Sequence, residues 1–151
     1  MKMSNDERES YLSEVHVGVL SVPRQGRGPL SAPIWYDYSL GGDVVMFIDK
    51  HSVKAGCLKQ VERISLCVQN EAPPYVYVSV EGPFQLSEAD KARHLAVAVR
   101  YLGEQRGNEW MDKFGYEEDS FMLSMRPESW LTKDYLKRAF QVRLRSPWWL
   151  H

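Results

Sequence analysis

The chain has 151 residues, which suits one domain with its own core, and its 44% hydrophobic and 26% charged residues are ordinary for a folded protein. Its 19 basic and 20 acidic residues are well mixed and give a formal net charge of −1. Duplex nucleic acid usually requires a basic face, so it is not an expected partner. No apolar run approaches the roughly 20 residues that a membrane-spanning helix needs, so we expect no membrane segment.

The first half of the chain predicts one helix and three strands. Residues 1–14 form an N-terminal segment whose part from Asn5 to Glu14 is typical of a short helix. Turn-forming sequences, Gly26-Arg27-Gly28-Pro29 and Gly41-Gly42, separate stretches rich in β-branched and apolar residues. The strands predicted in this way are 15–22, 30–38 and 44–49. The third is apolar throughout (VVMFID), which indicates a strand covered on both faces.

The second half predicts three more strands and two groups of helices. Ser52 is a good N-cap for a short helix that ends near Gln60. Residues 87–115 predict a helical insertion, in which Ser87 begins the first helix with a capping-box pattern and residues 104–114 form the second. Three arginines of this insertion are expected on a solvated face: Arg93, Arg100 and Arg106. The strands are predicted at 64–69, 76–81 and 121–131, and Pro127 within the last indicates an edge or a bulge.

Six short strands of this kind predict a fold that is mainly β. Closure into a barrel removes the exposed edges of a small antiparallel sheet. We therefore predict a single domain over residues 1–151, a six-stranded antiparallel β-barrel with flanking helices.

The cysteines and histidines do not have the spacing of a metal or redox site. Cys57 and Cys67 fit neither a CxxC motif nor a zinc site, and two cysteines cannot build a disulfide framework. The four histidines lack HxxxH and HExxH spacing. The polar N-terminal residues also lack the apolar segment of a signal peptide. We predict no metal and a reducing, cytoplasmic location.

A candidate phosphate site follows the third predicted strand. A helix start offers backbone N–H groups and a partial positive charge, to which Ser52 adds a hydroxyl and Lys54 an ammonium. Plain N-capping beside a surface lysine would give the same pattern, so both interpretations remain open. Residues Pro33–Tyr36 and Phe47–Asp49 flank the Gly41-Gly42 turn and are expected to lie side by side. They would offer an apolar floor to a flat heterocycle whose phosphate reaches Lys54.

Three stretches of the chain resemble a known family in order and spacing. They are VGVLSV…GRGPLSAPIWYDY, VVMFIDKHSVKAGCLKQVERISLCV and PPYVYVSVEGPFQL, and FMLSMRPESWLTKD matches more loosely. The family is that of the flavin-binding split barrels related to pyridoxamine 5′-phosphate oxidase, including their deazaflavin-dependent branch. The resemblance covers residues 15–86 best. It implies the FMN-binding split-barrel fold and a homodimer that holds FMN or coenzyme F420 at the subunit interface.

The resemblance also implies which residues hold the cofactor. Lys54 falls at the basic residue of the family's phosphate site, and Ser52 lies two positions before it. The residues implied to line the ring are Ile34, Trp35 and Tyr36, with Phe47, Ile48 and Asp49 on the neighbouring strand. Tyr75 and Tyr77 fall where the family places aromatic side chains that reach the site, also across the dimer. Core packing explains Trp35 and Tyr36 equally well, and interface packing explains Tyr75 and Tyr77 equally well. The anionic tail of F420 would want further cations, for which three residues are available that a solvated surface explains equally well: Lys50, Lys59 and Arg63.

The implied activity is that of an oxidoreductase that transfers a hydride between FMN or F420 and a small organic substrate. A non-catalytic carrier of flavin or deazaflavin is the alternative, and a plain dimeric scaffold is a third interpretation. No acid–base pair is identified, and the side chains considered for guiding a proton are Tyr36, Tyr77 and His51. The aromatic tail, residues 141–151, carries Trp148 and Trp149, which we expect either to close over the cofactor or partner or to pack on the end of the barrel.

Overall fold

The computed structural model describes residues 1–115 and 117–137, and the predicted tail at 141–151 with Trp148 and Trp149 lies outside this part. The described helices are α1 (Asn5–Ser13), α2 (Val53–Leu58), α3 (Lys91–Leu102) and α4 (Glu104–Phe114). The described strands are β1 (Gly18–Val22), β2 (Leu30–Ile34), β3 (Val44–Asp49), β4 (Arg63–Gln69), β5 (Val76–Glu88), β6 (Ser120–Met125) and β7 (Ser129–Asp134). None of these helices has the length and apolarity that crossing a membrane requires.

The strands form an antiparallel sheet that curls into a half-barrel, in the order β2-β1-β4-β5-β6-β3. The long strand β5 joins the two halves, because its first part pairs with β4 and β7 and its last part, Phe84–Glu88, pairs with β6. Within the described residues, β2 and β3 do not pair, and the chain after β2 meets β3 at one bridge between Asp37 and Val45, so the barrel is split between these two strands. The predicted fold, a mainly β antiparallel split barrel with flanking helices, is confirmed.

The predicted last strand is divided into β6 and β7, so seven strands are present in the described chain rather than six. The pairing registers leave residues 126–128 opposite only Gly82 and Pro83, which is a β-bulge. A Cβ at position 82 would lie 1.7 Å from the carbonyl oxygen of Arg126, so this close approach requires glycine. The proline interruption therefore marks a bulge, as the sequence predicts.

The core lies inside the half-barrel and beneath α1. Three consecutive residues of β3, Val44, Val45 and Met46, are buried, which confirms a strand covered on both faces. Leu12 anchors α1 on this core with none of its surface exposed. The largest fully buried side chains are Tyr36, Leu12, Leu20, Met46, Ile48, Leu58, Leu66, Leu123 and Met125.

The start of the helical insertion is wrong in the sequence prediction. Ser87 does not begin a helix, because β5 continues through Glu88, and both residues pair with β6. The N-cap of α3 is Asp90, whose carboxylate accepts a hydrogen bond from the backbone N–H of Arg93. Pairing with a strand distant in sequence overrides the local capping pattern. The strand predicted over 30–38 also ends earlier, at Ile34, where β2 and β3 separate.

Arg100 does not lie on a solvated face as predicted. Its guanidinium donates hydrogen bonds to the carbonyls of Ser13 and Glu14 at the end of α1. It also lies 3.6 Å from the Asp37 carboxylate and 5.2 Å from the centre of the Tyr36 ring. A cation at the C-terminal end of a helix satisfies carbonyls that have no partner within the helix. Arg100 therefore fastens α3 to the end of α1 and to the split edge of the barrel.

Candidate cofactor-binding cleft

A cavity of about 340 Å³ occupies the split between β2 and β3. The lining residues come from the two strands, the chain beside them, and the helices above: Val17, Pro33, Ile34, Trp35, Phe47, His94, Val97 and Trp110. Ligand pockets usually measure about 300–1,000 Å³ and are mostly apolar. The size and the lining suit a planar fused ring. We call this cavity the cleft.

The predicted ring-lining residues divide between the cleft and the barrel interior. Trp35 and Phe47 border it, and so does Ile34. Tyr36 and Ile48 are each one residue further along, and both side chains are fully buried in the barrel interior. The structure thus brings Trp35 and Phe47 together, as the sequence predicts, and places the side chains of Tyr36 and Ile48 in the core.

Tyr36 has a clear structural contact in that core. Its hydroxyl donates to the carbonyl oxygen of Leu12 at 2.6 Å and lies 3.2 Å from that of Glu14. Burial raises the pKa of Tyr36 above its usual range, which keeps the phenol protonated. Because its hydroxyl already satisfies the end of α1, Tyr36 holds the helix on the barrel.

The indole of Trp35 is fixed by neighbouring aromatic rings. It stacks on Tyr101 of α3 with ring centres 5.0 Å apart and planes 8° apart, and it tilts against Trp110 of α4 at 5.5 Å. The Tyr101 hydroxyl donates to the carbonyl of His16 at 2.6 Å and accepts from the backbone N–H of Tyr36 at 3.1 Å. Trp35 is therefore held in place before any ligand binds, which lowers the entropy cost of binding.

Sequence reasoning missed four residues that line the cleft, and His94 is the polar one; the others are Val17, Val97 and Trp110. The imidazole of His94 stacks on Phe47 with centres 4.1 Å apart and planes 9° apart, and its edge meets Trp110 at 5.5 Å. The side chain is buried, and its Nδ1 has no hydrogen-bond partner among the described residues. Burial lowers the pKa of His94, which favours the neutral ring. The helical spacing that His94 shares with Val97 and Tyr101 is a sequence signal that could have identified it.

The predicted phosphate turn begins where β3 ends. Ser52 is the N-cap of α2: its hydroxyl accepts from the N–H of Ala55 at 3.2 Å and donates to the carbonyl of Asp49 at 2.7 Å. The Asp49 carboxylate accepts from the N–H of His51 at 2.8 Å. Ser52 and Asp49 therefore shape the turn. Lys54 is half-buried on the first turn of α2 and forms no ion pair with a described carboxylate, which fits a phosphate ligand.

The other candidate cations near this turn are in contacts of their own. The Lys50 ammonium lies 2.6 Å from the Glu88 carboxylate, and Arg63 lies 2.6 Å from Glu128. The Lys59 ammonium lies 5.6 Å from the centre of the Phe121 ring. Exposed ion pairs are weak, so an anionic ligand could displace them, but Lys54 needs no such exchange.

The remaining predicted residues lie away from the cleft. Tyr75 directly precedes β5, and Tyr77 lies on β5, where it pairs with Gln69 and Lys133 across the strands. Neither tyrosine borders the cleft. His51 is exposed and lies 3.9 Å from the Asp119 carboxylate. Within one chain, the structure does not bring these three residues to the ring site.

Comparisons with known proteins identify the fold. No family model and no curated protein matches the chain. Among solved structures, it is similar to a conserved hypothetical protein of Mycobacterium tuberculosis, at 20% identity and a TM-score of 0.75 over 92% of this chain and 89% of that chain. An F420 reductase matches at 19% identity and a TM-score of 0.65 over 82% of this chain and 94% of that chain. A candidate pyridoxamine 5′-phosphate oxidase of Listeria innocua matches at 15% identity and a TM-score of 0.64 over 85% and 96%.

These neighbours are split-barrel proteins of the kind related to pyridoxamine 5′-phosphate oxidase. The chain has the same fold, and the resemblance seen in the sequence is confirmed at that level. Identities of 15–20% establish the fold alone.

Proposed function

We propose that the cleft binds the ring of FMN or coenzyme F420 and that Lys54 binds its phosphate. The observation that carries this proposal is that Phe47 of the cleft lies on β3, the strand that leads into the turn and helix carrying Lys54, a half-buried lysine without a described ion partner. Phe47 borders the cleft, and β3 ends two residues later, about 7 Å along the strand. Lys54 follows on the first turn of α2, so one ligand with a planar ring and a phosphate would use both features.

The second part of the proposal is that the protein is an oxidoreductase acting on a small organic substrate. When bound, FMN or F420 supplies hydride transfer. The chain supplies the surroundings: Trp35 and Phe47 orient the ring. Val97 of α3 and Trp110 of α4 exclude water, and we call these two helices the helical roof of the cleft. A non-catalytic carrier remains a second candidate, because the described lining of the cleft has one titratable side chain, His94, and no acid–base pair.

We further propose a homodimer formed through the outer face of the sheet. The pairing registers align Pro33, Val19, Cys67, Ser79 and Leu131 in one row across this face. Val19 and Leu131 are exposed there, and small side chains between them leave the row flat. Exposed apolar surface of this kind is typical of an interface between proteins. Pro33 also borders the cleft, so a partner on this face would lie next to the cofactor.

Binding is tested by incubating the purified protein with FMN or F420, desalting it and recording the absorbance spectrum. We expect one cofactor to stay bound. Lys54→Ala should weaken its binding by about 1.5–3 kcal/mol, roughly 10- to 150-fold, because a charged hydrogen bond to phosphate is lost. Lys2→Ala removes an exposed lysine elsewhere and is the matched control. Absence of binding of both cofactors at tens of micromolar would contradict the proposal.

Two further measurements separate the finer parts of the proposal. Reduction of quinones or enones by the protein loaded with reduced cofactor supports the oxidoreductase, whereas binding without turnover supports the carrier. Sedimentation analysis tests the dimer: Val19→Glu places a charge in the apolar row and should give a monomer. A monomeric wild-type protein would refute the proposed interface.

A further inference from the structure

We infer that His94 recognises the edge of the bound ring by a hydrogen bond, so that the cleft selects planar ligands with a polar ring edge over purely apolar ones. This inference rests on the proposed function, because it assigns a partner to the same ring. It concerns a residue of the helical roof, whereas the phosphate contact concerns the turn after β3.

The surroundings of His94 make its polarity unusual. Of the described residues that line the cleft, His94 alone is titratable, and its neighbours are aliphatic or aromatic. Its ring face is already covered by Phe47, with 9° between the planes, so stacking uses only the apolar property of the imidazole. A phenyl ring would stack there as well, without the cost of burying a nitrogen that lacks a hydrogen bond.

The unpartnered Nδ1 leaves His94 with an unused hydrogen-bonding group beside the cleft. This atom is shielded from solvent, so a ligand in the cleft meets it only after the imidazole turns over, which keeps the ring plane on Phe47. Buried polar groups are nearly always hydrogen-bonded, and an exception in a ligand-sized cavity calls for an explanation. No described residue supplies a hydrogen bond to this atom. In the neutral imidazole one nitrogen donates and the other accepts, so either nitrogen, after a ring flip if needed, can meet a carbonyl, an N–H or a ring nitrogen at a heterocycle edge.

The neutrality of His94 also gives the ligand one orientation. A neutral group in apolar surroundings favours an uncharged ring edge and disfavours a phosphate dianion, which a dry cavity would desolvate at high cost. Lys54, on the half-buried turn after β3, favours the dianion. The two residues therefore sort the two ends of the ligand, with the ring in the cleft and the phosphate at α2.

The test compares two ligands on three variants by quenching of flavin fluorescence. Riboflavin carries the ring without the phosphate, and FMN carries both. His94→Phe keeps the stacking and removes both nitrogens, so we expect it to weaken riboflavin and FMN by the same factor, about tenfold. His94→Gln restores a hydrogen-bonding group and should recover part of the loss. Lys54→Ala should weaken FMN alone.

Thermal unfolding without ligand separates recognition from a structural role. Because His94→Phe removes an unsatisfied buried nitrogen, the variant should melt about 2–4 °C higher than the wild type while binding less tightly. Unchanged affinity for both flavins, or weaker binding with a lower melting temperature, would overturn the inference and leave the cofactor proposal standing. A wild-type protein that binds neither flavin nor F420 would overturn both.

Discussion

The packing of α3 against α4 depends on Gly107, and its replacement should open the roof of the cleft. A Cβ at position 107 would lie 2.8 Å from Cα, N and Cγ2 of Val99. Two of these are backbone atoms, so the helices must separate and the cost lies in the upper part of the roughly 1–3 kcal/mol range for overpacking. The better helix propensity of alanine returns about 1 kcal/mol. We therefore expect Gly107→Ala to destabilise the protein by about 1–2 kcal/mol.

This loss corresponds to a melting temperature lower by about 2–8 °C, measurable by circular dichroism. Gly56→Ala is the matched control, because position 56 lies within α2 and a Cβ there would meet nothing within 4 Å. It should raise stability by about 0.5–1 kcal/mol. Trp110 follows Gly107 on α4, so only Gly107→Ala should also weaken flavin binding. A Gly107→Ala protein as stable as Gly56→Ala would refute the close packing of the two helices.

Two other predictions concern buried groups. Tyr36→Phe leaves the Leu12 carbonyl without its partner and should cost about 1–3 kcal/mol in denaturant unfolding, whereas exposed Tyr75→Phe should cost almost nothing; equal effects would contradict the contact. Burial lowers the pKa of His94 below its usual value of about 6.5, so the unfolded chain takes up this proton first as the pH falls. Stability present above pH 6.5 should therefore be lost as the pH falls toward the folded-state pKa. Melting temperatures at pH 7.5 and 5.5 should show a larger drop for the wild type than for His94→Phe, and equal drops would be evidence against burial. The exposed carboxylate of Glu7 does not contribute to this difference between pH 7.5 and pH 5.5. The hydrogen bond from the Lys137 ammonium helps to lower the pKa of Glu7 to about 2, so its contribution to stability is lost only as the pH falls below about 4.5.

Much of the fold follows from local sequence signals. The β3 strand and α4 have the predicted bounds. The continuous apolar run of β3 leaves few alternatives to a buried strand. Pro127 predicts the bulge because proline cannot donate to a strand ladder. The predicted end of β5 was wrong, because the sequence at Ser87 and Glu88 is typical of a helix start. These two residues extend the strand only because they pair with β6.

The cleft was predictable in part. The Gly41-Gly42 turn brings Trp35 and Phe47 to one place, and the resemblance marks Lys54. What the sequence does not show is which residues of an alternating strand face outward when both faces are apolar, so the burial of Tyr36 emerged only from the structure. His94 enters the site through the packing of α3 over β3, a contact between elements distant in sequence.

The central claim, that a planar ring binds between β2 and β3, is tested most directly by the indole N–H signals of ¹⁵N-labelled protein. Trp35 and Trp110 border the cleft, whereas Trp130 lies on β7 beneath Arg8. On titration with riboflavin, the account predicts that the signals of Trp35 and Trp110 shift in a saturable way and that the Trp130 signal stays in place. A shift confined to Trp130, or no shift of Trp35 and Trp110 at saturating flavin, would contradict it.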